Sequence, residues 1–140
     1  MARFDFMVHG TPGPQGSKRA LGSGRMIEMS KRVKPWREAV KWAWVAAKGH
    51  KIEGPVRLCV TFYFARPTSV NRSRPSVPPD LSKLIRATED ALTDVGAWED
   101  DSRVVSIAAE KYYESGFCGA DISIEAAYTP EIVIKPKVRK

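Results

Sequence analysis

The fold class is decided by the stretch at residues 56–64, which reads VRLCVTFYF. Its apolar residues alternate strictly with the residues between them, and a period of two is typical of a strand that buries one face. Helical patterns lie on both sides of this stretch along the chain, and further alternating segments lie beyond them. The order predicts two strand–helix–strand crossovers, and therefore a mixed sheet with helices packed on it.

The helix before this strand is predicted to begin at Pro35, since proline fits the first helical position, and to end before Gly49. Its buried stripe follows the helical spacing i, i+3, i+4, i+7 and i+11. The stripe consists of Trp36, Ala39, Val40, Ala43 and Ala47. Trp42 and Trp44 do not both fit this stripe, so one of them is expected either on a partner surface or as a single exposed aromatic residue.

A second helix is predicted over residues 81–93, with a buried face and a separate polar stripe. The buried face is Leu81, Leu84, Ile85, Thr88 and Leu92, and the polar stripe is Ser82, Arg86, Glu89 and Thr93. After it, alternation at Val105, Ile107 and Ala109 predicts a strand that reaches Tyr113. A last strand is predicted over residues 122–126, joined to the previous one by a hairpin turn.

The N-terminal residues also alternate, which predicts a half-buried strand that ends at Gly10, and residues 26–29 suit a short second strand. The predicted fold is a single α/β (mixed α+β) domain over residues 1–130, in the order β-(β)-α-β-α-β-β, with a basic tail at 131–140. Residues 10–24 and 66–79 combine glycine or proline with basic residues, and they are predicted to be basic mobile loops.

The net charge of +7 is the sum of opposed parts. Residues 1–79 hold 15 Lys and Arg against 4 Asp and Glu, residues 80–130 hold 4 against 11, and residues 131–140 hold 4 against 1. The basic part suits a polyanion, although two charged faces that only maintain solubility would give the same counts. No apolar run approaches the roughly 18–20 residues that span a bilayer, and two cysteines are too few for a disulfide scaffold or a zinc site. We expect a cytoplasmic protein without a membrane partner.

Carboxylates stand out at two places in the acidic part. Asp80 directly precedes the second helix, and Asp100 and Asp101 precede the next strand. We expect the start of that helix and the start of that strand to be neighbours. There the carboxylates would bind Mg²⁺, which prefers oxygen ligands and assists phosphodiester hydrolysis. Taken singly, Asp80 is better explained as a helix N-cap, Asp100-Asp101 as a turn, and Arg86 with Glu89 as a surface pair.

Residues 78–93 read PPDLSKLIRATEDALT, and residues 98–105 read WEDDSRVV. Together they resemble the RusA family of Holliday junction resolvases, whose pattern is approximately D-x-D-N-L-x-K-x-x-x-D-A-L, then a short gap, then D-D-x-x-V. The loop at residues 10–16 is also similar to the family's N-terminal segment, so the resemblance spans most of residues 4–128. It implies a homodimeric endonuclease of mixed α/β fold, common on bacteriophages and prophages, that needs Mg²⁺ or Mn²⁺ and nicks four-way DNA junctions symmetrically.

The resemblance also implies a set of site residues. Asp80 matches the family's first catalytic aspartate and Asp101 its late one, with Asp100 beside it, and these three would hold the metal. Arg86 stands where the family has an essential lysine, so the positive charge is kept while its geometry changes.

The family's second catalytic aspartate is replaced here by Ser82, which is a poor Mg²⁺ ligand. Three interpretations follow: another carboxylate such as Glu89 substitutes for it, the metal keeps an extra water, or the protein binds junctions and cuts them poorly. We favour a functional variant, because Asp80, Asp100 and Asp101 are present together.

Several basic residues are predicted to contact DNA phosphates, reading shape and not sequence. They are Lys18, Arg19, Arg25, Lys31, Arg32, Arg72, Arg74 and Lys83. The leading hypothesis is a metal-dependent, structure-selective endonuclease that acts in DNA recombination or repair. Its competitors are a non-catalytic protein of the same fold that binds branched DNA, and a small basic interaction protein whose carboxylates only cap and turn the chain.

Overall fold

The structure, a computed structural model, describes residues 2–16 and 31–128. Within these ranges the elements are β1 (Arg3–His9), α1 (Val33–Ala46), β2 (Val56–Phe64), α2 (Leu81–Asp94), a short 3₁₀ turn (Asp101–Arg103), β3 (Val104–Tyr113) and β4 (Gly119–Ala126). The predicted mixed sheet with two helices is confirmed. The predicted strand at 26–29, most of the loop at 10–24 and the tail at 131–140 lie outside the described residues.

The four strands form one sheet in the order β1-β4-β2-β3. β2 and β3 are parallel neighbours connected through α2, and β4 pairs antiparallel with both β1 and β2. Both predicted crossovers are therefore present. The predicted hairpin between the last two strands is wrong: the chain does reverse direction, but β4 lies between β1 and β2, where it has a partner on each side, and not at the free edge of β3.

The two helices cover one face of the sheet, and the core lies between them. Every second residue of β2 points into it, with Val56, Leu58 and Phe62 fully buried. From the central strand β4, Ile122 and Ile124 are also fully buried. The alternating pattern at residues 56–64 therefore marks a strand with one buried face, as predicted, because β2 has a neighbouring strand on each side and a helix layer above it.

The alternation in β3 has a different outcome. The predicted strand is present, but Val105 and Ile107, whose alternation predicted it, are 61% and 44% exposed. β3 forms one edge of the sheet, so its first half has a neighbouring strand on one side only. These two exposed apolar side chains lie on an edge strand, and exposed strand edges are ready to pair with another chain.

Helix α1 begins at Val33, two residues before Pro35. Trp44 is buried and Trp42 is 68% exposed, so only one of the two tryptophans belongs to the buried stripe, as predicted. Gly49 follows the helix, where a Cβ atom would lie 2.2 Å from the Trp44 ring. The chain can therefore turn back over Trp44 only because residue 49 has no side chain.

A buried hydrogen-bond pair joins the two helices. The indole nitrogen of Trp36 donates to the hydroxyl of Thr88 at 3.0 Å, and that hydroxyl donates to the Leu84 carbonyl at 2.9 Å. Both side chains are almost completely buried, so each polar group depends on the other.

We expect Thr88→Val, which keeps the shape of the side chain, to lower the free energy of unfolding by about 1–3 kcal/mol, because the indole N–H is left buried without an acceptor. Urea denaturation measures this change. Thr68→Val, at an exposed loop position, is the control and should change stability by less than about 0.5 kcal/mol. Equal losses in the two variants would contradict the role given to the hydroxyl.

Candidate active site

Three polar side chains form a chain of hydrogen bonds where α2 ends. The buried Trp98 donates from its indole nitrogen to the Thr93 hydroxyl at 2.7 Å. Thr93, in the last turn of α2, donates in turn to an oxygen of Asp101. The Asp101 carboxylate is therefore held by a residue that a core tryptophan fixes in place, while Asp101 itself stays exposed.

Two further carboxylates lie near Asp101. Burial raises the pKa of Glu89 above its usual value, and the charges of Asp101 and Asp90 raise it further. The pKa of Asp90 is likewise raised, first by burial and then by Asp101. The negative charge of Asp101 thus lies close to two partly desolvated carboxyls, and it disfavours the ionisation of Glu89 and of Asp90.

Arg86 is the cation next to this group. It is exposed in the middle of α2, and its charge opposes the increase in the pKa of both Glu89 and Asp90. Within the described part of the chain it makes no salt bridge to Glu89 within 4.0 Å. The interpretation of Arg86 and Glu89 as a simple surface pair is therefore not supported, and the guanidinium remains available beside the carboxylates.

Asp100 has a structural role at this end of the helix. Its carboxylate accepts hydrogen bonds from the backbone nitrogen of Ser102 at 2.9 Å and from the Ser102 hydroxyl. These bonds, that of the hydroxyl first, lower the pKa of Asp100. Asp100 thus caps the 3₁₀ turn that begins at Asp101, which agrees with the turn interpretation for Asp100.

The same end of α2 borders an open cavity of about 400 Å³. Its lining is mostly acidic and consists of Arg37, Asp90, Thr93, Asp94, Asp100, Asp101 and Ser102. Arg37 forms a salt bridge with Asp94, so Asp94 is already neutralised while Asp90 and Asp101 are not paired in this way. The cavity therefore presents free carboxylate oxygens to solvent.

Asp80 lies at the other end of α2. The helix has 14 residues and is about 20 Å long, so the structure does not bring Asp80 to Asp100 and Asp101. The expectation that they are neighbours is wrong. A crossover helix runs antiparallel to the strands it connects, so the end of α2, and not its start, meets the start of β3.

The carboxylate of Asp80 does not cap the helix. Asp80 occupies the N-cap position with an extended backbone, but its side chain accepts no capping hydrogen bond. The side chain is 59% exposed and lies 3.9 Å from the ammonium group of Lys83. The N-cap interpretation is therefore wrong, and both carboxylate oxygens remain free of the helix. Ser82, two residues later, is also exposed.

The basic loop at residues 66–79 contains no helix or strand and contacts β3. Arg72 donates from Nε to the Tyr113 hydroxyl at 3.0 Å. The guanidinium of Arg74 lies 3.9 Å from the centre of the Tyr112 ring and 2.9 Å from a carboxylate oxygen of Glu110. Part of the capacity of both arginines for hydrogen bonds and ionic contacts is therefore used within the protein and not for DNA.

The structure describes only some of the other residues that are predicted to contact DNA. Lys31 and Arg32 are exposed just before α1. Lys18, Arg19 and Arg25 lie outside the described residues.

The chemistry of this site suits a hard divalent cation. Its donors are carboxylate and hydroxyl oxygens, which Mg²⁺ prefers, and a cation would offset both the burial and the neighbouring charge of Asp101 that raise the pKa of Glu89 and Asp90. Among residues 2–16 and 31–128, however, no three His, Cys, Asp or Glu side chains lie close enough together to hold one metal ion. The described residues of one copy thus supply suitable ligands without assembling a full set.

A family model covers most of the chain. The family model described as endodeoxyribonuclease RusA matches residues 9–125. The chain belongs to the RusA family of endodeoxyribonucleases. No curated protein matches it. The RusA match includes the whole of α2 and the turn after it, so the free carboxylates at both ends of the helix lie inside the family domain.

Sequence reasoning missed Asp90, although a signal for it was present. Asp90 is the aspartate of the D-A-L triplet in the RusA pattern, where it reads Asp90-Ala91-Leu92. Ala91 and Leu92 are fully buried, which makes the triplet look like core packing. Only the structure shows that Asp90 faces Asp101 across the end of α2.

Within the described part of this RusA-family chain, no helix is both long and apolar enough to cross a membrane.

Proposed function

We propose that this chain is a Mg²⁺-dependent endonuclease that resolves four-way DNA junctions by paired symmetric nicks. The observation that carries the proposal is the group formed by Glu89, Asp90 and Asp101 at the end of α2, which makes no salt bridge among the described residues and lies beside the exposed Arg86, in a domain of the RusA family. Carboxylates repel a polyanion, so their retention in a nuclease domain is best explained by a cation between protein and DNA. The protein would act in the cytoplasm of a bacterial host, encoded by a phage or prophage.

The proposed roles follow from the contacts. Asp101, Asp90 and Asp80 would hold the cation, with Glu89 in support and Asp100 shaping the turn that carries Asp101. A bound Mg²⁺, or Mn²⁺ in its place, would polarise the phosphodiester and lower the pKa of an attacking water.

The other proposed roles are those of side chains that orient the carboxylate, stabilise charge and contact DNA. Thr93 orients the carboxylate of Asp101 through its hydrogen bond. Arg86, exposed beside the carboxylates, would stabilise negative charge that develops on the phosphate. Lys31, Arg32, Arg72, Arg74 and Lys83, together with the basic residues at 18, 19 and 25, would contact the DNA backbone.

We further propose that the site is completed in a homodimer. Asp80 and Asp101 lie at opposite ends of α2, so a metal that uses both needs a second copy. β3 is an edge strand, and its exposed Val105 and Ile107 offer an apolar edge to pair. Antiparallel pairing of two β3 strands about a two-fold axis would set the two α2 helices antiparallel, so that the start of one faces the end of the other.

The test uses labelled four-way junctions and a linear duplex of matched sequence, with Mg²⁺, Mn²⁺ or EDTA. The proposal predicts paired nicks in the junction that need the metal, and little cutting of the linear duplex. Junction binding without nicking in either metal would instead support the alternative function, a non-catalytic protein that binds branched DNA. Weak, equal affinity for both DNAs that disappears at moderate salt would contradict both functions.

The alternative is favoured by one specific observation, Ser82 in place of the family's second aspartate. If Ser82 is a lost ligand position, Ser82→Asp should raise the nicking rate at limiting Mg²⁺ by about 10-fold, the size of effect typical of changes around a metal. Ser82→Asn, similar in size and uncharged, is the matched control and should give no gain. No gain from the aspartate either would indicate that Glu89 and Asp90 have taken over the position.

A further inference from the structure

One side chain of the sheet forms hydrogen bonds to the segment that leads into Asp80. Lys111, on β3, donates from its Nζ to the carbonyl of Val77 at 2.9 Å and to the carbonyl of Pro79 at 2.8 Å. Pro79 is the residue directly before Asp80. The last residues of the basic loop are therefore tied to β3 immediately before the chain enters α2.

This arrangement costs solvation free energy, because it places the charged ammonium group of a lysine in a partly buried position. Lys111 is half-buried, and burial lowers the pKa of its ammonium group, which only the charge of Asp80 opposes. A partly buried charge is tolerated when hydrogen bonds compensate for lost water, and bonds from an ammonium group are stronger than neutral ones. Within the described residues Lys111 makes no salt bridge within 4.0 Å, so its ammonium group is used mainly to hold main-chain carbonyls.

The main chain of Asp80 is thus fixed from both directions. After it, the backbone nitrogens of Lys83 and Leu84 donate to the Asp80 carbonyl at 3.1 and 3.0 Å. Before it, Lys111 holds the Pro79 carbonyl. Among the described residues the side chain of Asp80 has no comparable support, since the one cation paired with it there, Lys83, is 3.9 Å away. The position of the carboxylate therefore depends on where its backbone is held.

We propose that Lys111 is a positioning residue for Asp80: by binding the Val77 and Pro79 carbonyls it sets where the free carboxylate stands relative to the sheet. The expected effect on the nicking rate rests on the proposed function. The hydrogen bonds from Lys111 to the two carbonyls, however, are present in the protein without metal or DNA. A small displacement of a reacting group costs up to about 100-fold in rate, so loss of these hydrogen bonds should be visible in catalysis.

The test compares the full-length wild type with Lys111→Met, which keeps the length of the side chain and removes its donors. In the metal-free protein, amide hydrogen exchange at Lys83 and Leu84 should accelerate about 10-fold or more. In Mg²⁺, the single-turnover nicking rate at saturating enzyme should fall about 10- to 100-fold, while junction affinity in EDTA stays within about 2-fold. Lys111→Arg, which keeps the charge and can bond two carbonyls, should recover most of both properties.

Lys48→Met is the matched control, because it removes an exposed lysine elsewhere with the same change in charge, and it should leave both readouts unchanged. Unchanged exchange in Lys111→Met, wild-type nicking despite faster exchange, or an equal loss of junction affinity in EDTA would each overturn the proposal. A wild type that does not nick would refute the proposed function alone, since exchange still reports on the hydrogen bonds of Lys111. If Lys111→Met does not fold, Lys111→Gln, with a shorter reach, replaces it under the same criteria.

Discussion

Mixing the Asp80→Asn and Asp101→Asn variants should restore junction nicking that neither variant shows alone. Each variant by itself should nick at least about 100-fold more slowly than the wild type, because loss of one charged metal ligand removes both sites of a symmetric dimer. In an equimolar mixture, about half of the dimers contain one copy of each variant. One of the two sites in such a dimer then has both aspartates intact.

The recovery follows from the separation of the two residues along α2. If each site takes Asp80 from one subunit and Asp101 from its partner, the mixed dimer contains one doubly defective site and one complete site. The first-nick rate of the mixture should therefore reach about a quarter of the wild-type rate. Paired nicks should stay rare, since each active dimer cuts one strand. If both residues served a site within one chain, no combination of the two variants would contain a complete site.

The measurement is the initial rate of first-strand nicking after the two proteins are mixed, unfolded together and refolded. Asp121→Asn is the matched control: Asp121 is an exposed aspartate on β4, on the sheet face opposite the buried Ile122, and the variant should nick like the wild type. Rates in the mixture that match those of the separate variants would contradict the shared site. They would leave the metal-dependent nuclease in place, with the ligands drawn from one chain.

The elements of the fold could be predicted from the sequence because their signals are local. The alternation in residues 56–64 and the helical spacing of Leu84, Thr88 and Leu92 are each visible within a dozen residues, and they match β2 and α2. The order of the strands is not local. The insertion of β4 between β1 and β2 depends on which place in the sheet remains open, and the exposure of Val105 and Ile107 depends on β3 being at the edge.

The same difference between local and non-local features applies to the candidate site. Asp80 and Asp101 could be selected from the sequence through the RusA pattern, which records residue types and spacing. Their separation could not, because it depends on the direction of α2 relative to β3. The free carboxylate of Asp80 was hidden by its N-cap position, which usually indicates a structural role. Lys111 carries no sequence signal at all, since its partners are two carbonyls more than 30 residues away along the chain.

Asp90→Asn should stabilise the metal-free protein and at the same time weaken nicking. The pKa of Asp90 is raised above its usual value of 3.8 in the folded state, so the group favours folding below that value and loses this contribution as pH rises through its folded pKa. Near neutral pH the ionised carboxylate therefore costs stability, and asparagine removes the cost. We expect the midpoint of thermal unfolding to rise by about 1–3 °C at about pH 7.

The pH dependence separates this explanation from a general gain in packing. The advantage of Asp90→Asn should shrink as pH falls toward 3.8, since the wild-type carboxyl then becomes neutral as well, whereas a packing gain would persist. Mg²⁺ should raise the unfolding midpoint of the wild type more than that of the variant, because only a folded state that binds the ion is stabilised by it. Nicking should fall about 10-fold or more. A variant that is less stable near neutral pH, or that cuts as fast as the wild type, would mean that Asp90 supports the fold and not the cation. The combination of greater stability with lost activity is instead what a cation site maintained against charge repulsion produces.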